Sequence, residues 1–151
     1  MPRFLGNFTC KIVFAVIGMV VGLSAAGCFG PVLQNPDAAG FGLLSGIVAG
    51  ITLAVHVMHR RRRWSLDSDG SLIALQYTGV VIQMLSAAAF IVYMVLGCLT
   101  AKDGFHVYGR NYFLTCVWCF MSWKWGFLLF LYCRRYRKEL TMEEDYAPIQ
   151  E

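Results

Sequence analysis

Four long apolar stretches constrain this chain more than any other feature. The first, at 12–33, contains no charged residue, and three more follow at 38–58, 72–101 and 112–133. About 20 apolar residues in a helix cross the hydrocarbon core of a bilayer, and a helix satisfies its own backbone groups in lipid. The sequence therefore predicts an all-α integral membrane protein, in which four transmembrane helices form a single tetraspan domain over residues 1–151.

Composition excludes several classes of protein. Hydrophobic residues make up 58% of the 151 positions and charged residues only 15%, a balance typical of membrane proteins rather than soluble domains. The net charge of +4 comes from short basic clusters beside the apolar stretches, so the expected partner is the lipid bilayer and not nucleic acid. The six cysteines lie within or beside those stretches, which argues against a secreted disulfide framework.

The basic residues predict how the chain is oriented. With four spans, both termini and the loop between the second and third spans lie on one side of the membrane. Ten of the thirteen Lys and Arg residues fall on that side, whereas Lys102 and Arg110 fall on the other. Since short loops rich in Lys and Arg stay in the cytosol, both termini are predicted to be cytosolic. Residues 134–151 then form a cytosolic tail, and the loop 102–110 faces outside or a vesicle lumen.

The first two spans each carry a small residue at every fourth position. Such spacing makes a smooth ridge on which a second helix backbone can approach closely. Two ladders on consecutive spans predict that these spans pack against each other. The ladders are Gly18, Gly22, Ala26 and Gly30 in the first span, and Gly42, Gly46, Gly50 and Ala54 in the second.

Lys124 is a charge near the middle of the fourth span, with Trp118, Trp123 and Trp125 close to it in sequence. A charged side chain at the centre of a membrane helix costs about 3 kcal/mol on insertion scales, so it is a functional-site hypothesis by default. All nine acidic residues lie outside the spans. Three interpretations stay open: a neutral lysine, a lysine that reaches an interface, and a lysine that pairs with the carboxylates of a ligand.

The three histidines are candidate ligands. His56 lies in the last turn of the second span, where a neutral imidazole either ligates a metal or hydrogen-bonds to a neighbouring helix. His59 follows one turn later, and His106 lies in the loop on the opposite side. Together, His56 and His106 would mark the two faces of one route through the membrane.

Two further motifs are weaker signals. Cys116 and Cys119 form a CxxC pair on one helical face, but no second pair accompanies them. In an apolar helix they are interpreted as small packing residues rather than a zinc or redox site. The segment from Tyr146 to Ile149 has the form of a tyrosine-based sorting signal, which would direct where the protein goes and not what it does.

The fourth span and the residues after it resemble the heme-responsive-gene family of heme transporters. The segment His56-Val57-Met58, with Trp64 a few residues on, resembles the end of that family's second span. Chain length, number of spans and loop sizes agree as well. The pattern in the fourth span is Tyr112-x-Leu114-x-x-Val117-Trp118-x-Phe120-x-Ser122-x-Lys124-Trp125-x-Phe127-Leu128-Leu129-x-Leu131-Tyr132, followed by Arg135-Tyr136-Arg137.

This resemblance implies a function and a set of site residues. The family moves heme from outside the cell, or from an endolysosomal lumen, into the cytosol. Its heme-handling groups are a histidine in the second span, a histidine in the lumenal loop, and a basic aromatic motif after the fourth span. The matching heme-binding positions are His56, His106, Tyr132, Arg134, Arg135 and Tyr136, with His56 and His106 as ligands of the heme iron and with Lys124 and His59 as further candidates.

The chemistry of heme suits these residue types. Histidine is a common axial ligand of heme iron, aromatic faces pack on an apolar ring, and arginine or lysine pairs with the propionates. The expected function is therefore a heme permease of an endosomal, lysosomal or plasma membrane, with heme as its transported substrate. Since one four-helix bundle can barely enclose a macrocycle, a homo-oligomer is expected.

Alternatives from other classes make different predictions. A non-transporting tetraspan adaptor that scaffolds or sorts membrane proteins is the main alternative, and it would not bind heme. A small multidrug-type proton antiporter is disfavoured because no acidic residue lies within a span to carry the proton. Enzyme activity is not expected, because no nucleophile–base pair or metal-binding cluster stands out in the sequence.

Overall fold

Four helices make up almost all of the described chain. The computed structural model describes residues 8–61, 69–101, 104 and 109–146. Within these residues, all four helices are long and apolar enough to cross a membrane, so the predicted all-α bundle of four membrane-crossing helices is confirmed. Their bounds are Phe8–Gly27 for α1, which continues as a π-helical segment over Cys28–Val32, then Pro36–Arg60 for α2, Asp69–Thr100 for α3 and Tyr112–Tyr146 for α4.

Asparagine residues cap the starts of α2 and α4. The Asn35 side chain accepts a hydrogen bond from the Ala38 backbone N–H at 3.2 Å, and Pro36 occupies the first helical turn, where its missing N–H is not needed. The Asn111 Oδ1 accepts from two backbone N–H groups in the first turn of α4, at 3.0 and 3.2 Å. Asparagine is among the best residues for this position because its oxygen satisfies orphan N–H groups.

Glycines allow two helix pairs to approach backbone to backbone. A Cβ added at Gly22 of α1 would collide with the backbone of Gly46 in α2, so the predicted packing of the first span against the second is confirmed. Gly18, in the same ladder, instead faces the Trp125 side chain of α4. A similar contact joins α3 to α4, where a Cβ at Gly79 would lie 2.8 Å from the backbone oxygen of Gly126. This second contact was not predicted, because each helix contributes a single glycine rather than a ladder.

The central helices are α2 and α4, and the peripheral ones are α1 and α3. In the most apolar stretch of α2 and of α4, 44% of the residues are buried, whereas the corresponding shares are 17% in α1 and 11% in α3. Helices α2 and α4 run in the same direction, since Asn35 contacts Asn111 at one end and His56 contacts Tyr136 at the other. Most residues of the hydrophobic core belong to these two helices, and they include Trp125.

Helix α4 continues well beyond the predicted fourth span. It passes Cys133 without a break and ends at Tyr146, so the first part of the predicted cytosolic tail is helical. The division between membrane domain and tail, and the cytosolic side of both termini, stay predictions. The extension matters for the site because it places Tyr136 and Glu139 beside the last turns of α2.

Candidate functional site

One end of the bundle contains five of the eight candidate heme-binding residues. The last turns of α2 carry His56 and His59, and the facing stretch of α4 carries Tyr132 and Tyr136. Helix α1 runs in the opposite direction, so its first turn lies at the same end. We call this group the histidine–tyrosine cluster; it consists of Phe8, Lys11, His56, His59, Tyr132, Arg135, Tyr136 and Glu139.

His56 lies at the centre of the cluster and is almost completely buried, with 1% of its surface exposed. Its Nδ1 forms a hydrogen bond of 2.7 Å with the Tyr136 hydroxyl. Which of the two groups is the donor depends on the histidine tautomer. The Tyr132 ring meets the imidazole edge-on at 4.4 Å between centroids, and the Phe8 ring does so at 6.0 Å. A hydrogen bond to one ring nitrogen orients an imidazole for metal ligation through the other, so the pairing with Tyr136 suits an iron ligand.

His59 lies one turn further out and is partly exposed. Its ring stacks on Tyr136 at 3.8 Å between centroids, with only 10° between the planes. Its Nε2 is 3.2 Å from Glu139 Oε2, and the other oxygen of Glu139 accepts a hydrogen bond from Arg135 at 3.0 Å. The two histidines of α2 therefore differ in environment: His56 is enclosed by aromatic rings, whereas His59 lies within a polar network at the rim.

Two cations belong to the cluster. The Lys11 ammonium lies 5.4 Å from the centre of the Tyr132 ring, within the range of a cation–π contact, and the exposed Arg135 side chain pairs with Glu139 at 3.0 Å. An imidazole, two tyrosine rings and two cations thus lie within one contact network. Such a set can hold a flat apolar ligand that carries anionic groups at its edge.

Lys124 lies outside the cluster, at another depth of α4. Eight residues separate it from Tyr132, which corresponds to about 12 Å along a helix. Its ammonium lies 4.9 Å from the centre of the Phe14 ring and 5.0 Å from that of Trp125. The described ion pairs do not include Lys124. Aromatic faces therefore stabilise this charge where the spans offer no carboxylate.

The remaining predicted residues do not join the cluster in the described part of the chain. Arg134 is exposed on the surface of α4, and Tyr146 is exposed at its last residue. His106 and Ile149 lie outside the described residues. Cys116 and Cys119 are buried free thiols, and the described residues include no group of three or more His, Cys, Asp or Glu that could hold a metal ion.

Three members of the cluster were not singled out from the sequence. Phe8 and Lys11 belong to the start of α1, which lies far from the other members in the chain. Their proximity follows only from the antiparallel packing of α1 against α2. The position of Glu139 could have been found from the sequence, because Glu139 lies four residues after Arg135 and oppositely charged residues at that spacing pair on a helix. The sequence analysis placed Glu139 in the cytosolic tail and did not extend the helix that far.

Comparisons with known proteins agree with the resemblance seen in the motifs. A model of the family described as "Haem-transporter, endosomal/lysosomal, haem-responsive gene" matches residues 72–125, a region that includes Lys124 and ends before Tyr132. The chain is 26% identical over 129 residues to the heme transporter hrg-1 of Caenorhabditis elegans. The match covers 84% of this chain and 66% of the relative, so the chain spans just under two thirds of the relative's length. No solved structure matches the chain significantly. The resemblance to the heme-responsive-gene family is confirmed.

Proposed function

With this family resemblance as the premise, we propose that the protein is a heme permease, which carries heme across an endolysosomal or plasma membrane into the cytosol. The family description and the name of the worm relative both specify heme transport rather than catalysis. The observation that carries the proposal is the buried imidazole of His56, which lies 2.7 Å from the Tyr136 hydroxyl. The Tyr132 ring lies beside it, and the same cluster contains the cations of Lys11 and Arg135.

Each part of heme has a matching group in the histidine–tyrosine cluster. His56 ligates the iron through the nitrogen that does not contact Tyr136, as histidine does in many heme proteins. The rings of Tyr132 and Tyr136 pack against the macrocycle. Lys11 and Arg135 pair with the propionates, since charge-assisted hydrogen bonds to carboxylates are among the strongest in proteins.

Heme follows a route between the two ends of the bundle in this proposal. It is received near His106 on the lumenal side, passes Lys124 and reaches His56. It leaves through the basic aromatic motif from Tyr132 to Tyr136. Lys124 contributes a cation that exchanges its contacts with Phe14 and Trp125 for a propionate as heme passes.

A homo-oligomer is part of the proposal. Helices α1 and α3 bury few residues of their apolar stretches within one chain and expose large apolar side chains such as Val20 and Met84, so each can pack on lipid or on a second copy. The mass of the protein in lipid nanodiscs would test this, and a single 16.9 kDa chain per disc at all concentrations would contradict it.

A titration with hemin, followed by absorbance, tests the proposal directly. Wild-type protein should shift the hemin spectrum to that of a ligated heme. His56→Ala should lower the affinity at least tenfold, which corresponds to about 1.4 kcal/mol. Ile47→Ala is the matched control, because Ile47 lies on the same helix, is exposed and has no atom that can ligate iron.

Two outcomes would contradict the proposal in different ways. If wild-type protein leaves the hemin spectrum unchanged, the chain does not bind heme, and the tetraspan adaptor becomes the better interpretation. If reconstituted vesicles take up heme equally well with wild-type, His56→Ala and His106→Ala proteins, the proposed histidine relay is wrong.

A further inference from the structure

The contact between α1 and α4 differs from that between α1 and α2. Helix α1 packs backbone to backbone on α2 through glycines, whereas the backbones of α1 and α4 approach each other less closely and side chains fill the space between them. A lysine of each helix lies over an aromatic ring of the other: Lys11 of α1 over Tyr132, and Lys124 of α4 over Phe14. We call this contact the α1–α4 seam. Because side chains close it, a change of rotamer can open it.

The Trp125 indole places an unpaired hydrogen-bond donor in the seam. Only 1% of the Trp125 surface is exposed, and its Nε1 has no hydrogen-bond partner among the described residues. A Cβ added at Gly18 of α1 would collide with Cζ2 and Cε2 of the indole, so the edge of the ring that carries the N–H faces α1. A buried donor without a partner costs free energy, and most buried polar groups have one. The unpaired N–H therefore indicates a partner from outside the chain.

A second donor lies beside the same indole. The Lys124 ammonium is 5.0 Å from the centre of the Trp125 ring, and the lysine side chain is only partly buried. Phe14 covers both groups from α1, since its ring centre lies 4.9 Å from the ammonium and 5.4 Å from that of Trp125. Phe14 is itself 50% exposed. Rotation of this one exposed side chain would thus uncover an ammonium and an indole N–H together.

We propose that Lys124 and Trp125 together bind a carboxylate in the α1–α4 seam, that Phe14 is its movable cover, and that the carboxylate is a propionate of heme. This inference rests on the proposed heme transport. It adds Trp125 as a residue that makes the passage selective for a free propionate.

Two donors of this kind suit the two oxygens of a carboxylate. The ammonium supplies the charge, and the indole N–H, which can only donate, supplies a fixed direction. Hydrogen bonds to an ionised carboxylate are stronger than those between neutral groups, whereas an esterified propionate has lost its charge. All nine acidic residues of the chain lie outside the apolar stretches, so a carboxylate at this depth has to come from a ligand.

Packing alone would not require the indole N–H. An apolar side chain could fill the space beside Gly18 without leaving a donor unpaired. Trp123, two residues earlier on α4, provides the comparison within the same helix. Its ring stacks on Phe120 and Phe127 and borders an apolar pocket against α3. Trp123 is therefore the matched control for Trp125.

Nuclear magnetic resonance of the indole N–H groups tests the proposal in the full-length protein in detergent micelles. The probe is gallium protoporphyrin, a diamagnetic heme analogue with two propionates. The control ligand is its dimethyl ester, which has the same ring without a carboxylate. The His56→Ala background keeps the porphyrin from collecting at the histidine–tyrosine cluster. The Trp125 N–H signal should move downfield with the acid relative to the ester, and Lys124→Met should abolish this difference. The Trp123 signal should show no such difference.

Uptake of hemin by reconstituted vesicles provides a second measurement. Trp125→Phe keeps an aromatic ring and removes the N–H. The initial rate of uptake should fall about tenfold, as expected for the loss of one hydrogen bond to a charged group. Trp123→Phe should leave the rate unchanged, and equal rates for the two variants would overturn the role of the Trp125 N–H.

The remaining outcomes separate this inference from the proposed function. A Trp125 signal that moves equally with the acid and the ester, or does not move although absorbance shows bound porphyrin, would overturn the carboxylate site and leave the transport function standing. A movement produced by palmitate but not by the porphyrin would replace the propionate with a lipid carboxylate and overturn the heme assignment. If wild-type protein binds no hemin, the transport function fails together with this inference, so the two failures are distinguishable.

Discussion

The two ends of the bundle are held together by different chemistry. At the Asn35 end, amide and backbone groups make the short connections: Asn35 Nδ2 donates to the Asn111 backbone oxygen at 3.1 Å, and the Gly109 backbone N–H donates to the Leu33 oxygen at 2.8 Å. The ion pair of Arg110 with Asp37 at this end is longer, at 3.6 Å. At the Tyr136 end, the connections run between imidazole, phenol and charged groups.

This difference indicates which end can open for a ligand. Amide and backbone hydrogen bonds at the Asn35 end are directional, and the groups in them have no better partner in an apolar ligand. The rings and charges at the Tyr136 end can exchange their contacts for a macrocycle, an iron and propionates. We therefore expect the Asn35 end to stay joined while the Tyr136 end separates when heme leaves.

Replacing Asn35 should have the largest effect on stability. Asn35→Ala removes the cap of α2 and the bond to Asn111 from a side chain with 0% exposure. A lost cap costs about 1 kcal/mol and an unpaired buried group about 1–3 kcal/mol, so the free energy of unfolding should fall by about 2–4 kcal/mol. Chemical denaturation of the protein in detergent measures this free energy. Thr78→Ala is the control, since that hydroxyl bonds only to the Ala74 carbonyl of its own helix; equal losses for both variants would refute the special role of this end.

Removing the Tyr136 hydroxyl should have a smaller effect on stability but should speed heme binding. Tyr136→Phe keeps the ring and deletes the 2.7 Å contact with His56 Nδ1, at a cost of about 1–2 kcal/mol for one buried hydrogen bond. Since that contact helps to close the cluster, hemin should associate faster in stopped-flow experiments. Tyr77→Phe serves as the control, because Tyr77 is 65% exposed. An association rate no higher than that of wild type would show that this end does not limit access.

The smallest effect is expected for Glu139. Glu139→Gln weakens the contacts with His59 and Arg135, whose side chains are 26% and 47% exposed. Exposed ion pairs of this kind contribute about 0.2–1 kcal/mol, so the free energy of unfolding should change by less than about 1 kcal/mol. Hemin affinity should rise about twofold, because Arg135 loses a carboxylate that competes with the propionates. Asp145→Asn, exposed near the end of α4, is the control, and a decrease in affinity would contradict this role for Arg135.

Much of the fold could be predicted because it depends on local composition. A stretch of about 20 apolar residues partitions into a bilayer whatever its neighbours are, and so the four helices were found without reference to their packing. The ladders at Gly22 and Gly46 were also readable, because small residues at every fourth position make one face of a helix smooth. The contact between Gly79 and Gly126 was missed, since a single glycine in an apolar helix gives no periodic signal.

The candidate site could be predicted in part. His56, Tyr132, Arg135 and Tyr136 were chosen by their residue types and by the family resemblance, and they lie together in one cluster; their roles in heme binding remain proposals. The contacts of Phe8 and Lys11 with this cluster were not predicted, because they depend on how α1 packs against α2.

The sequence by itself determined that the chain forms four apolar helices, that the first two pack closely, and that Lys124 has no carboxylate partner at membrane depth. Only the tertiary structure decided that Phe14 and Trp125 stabilise Lys124, and that His56 is enclosed while His59 lies at the rim. The physical reason is that transfer of a segment into lipid depends on the segment alone. Contacts between side chains depend on the rotation and register of whole helices, which packing between residues distant in sequence determines.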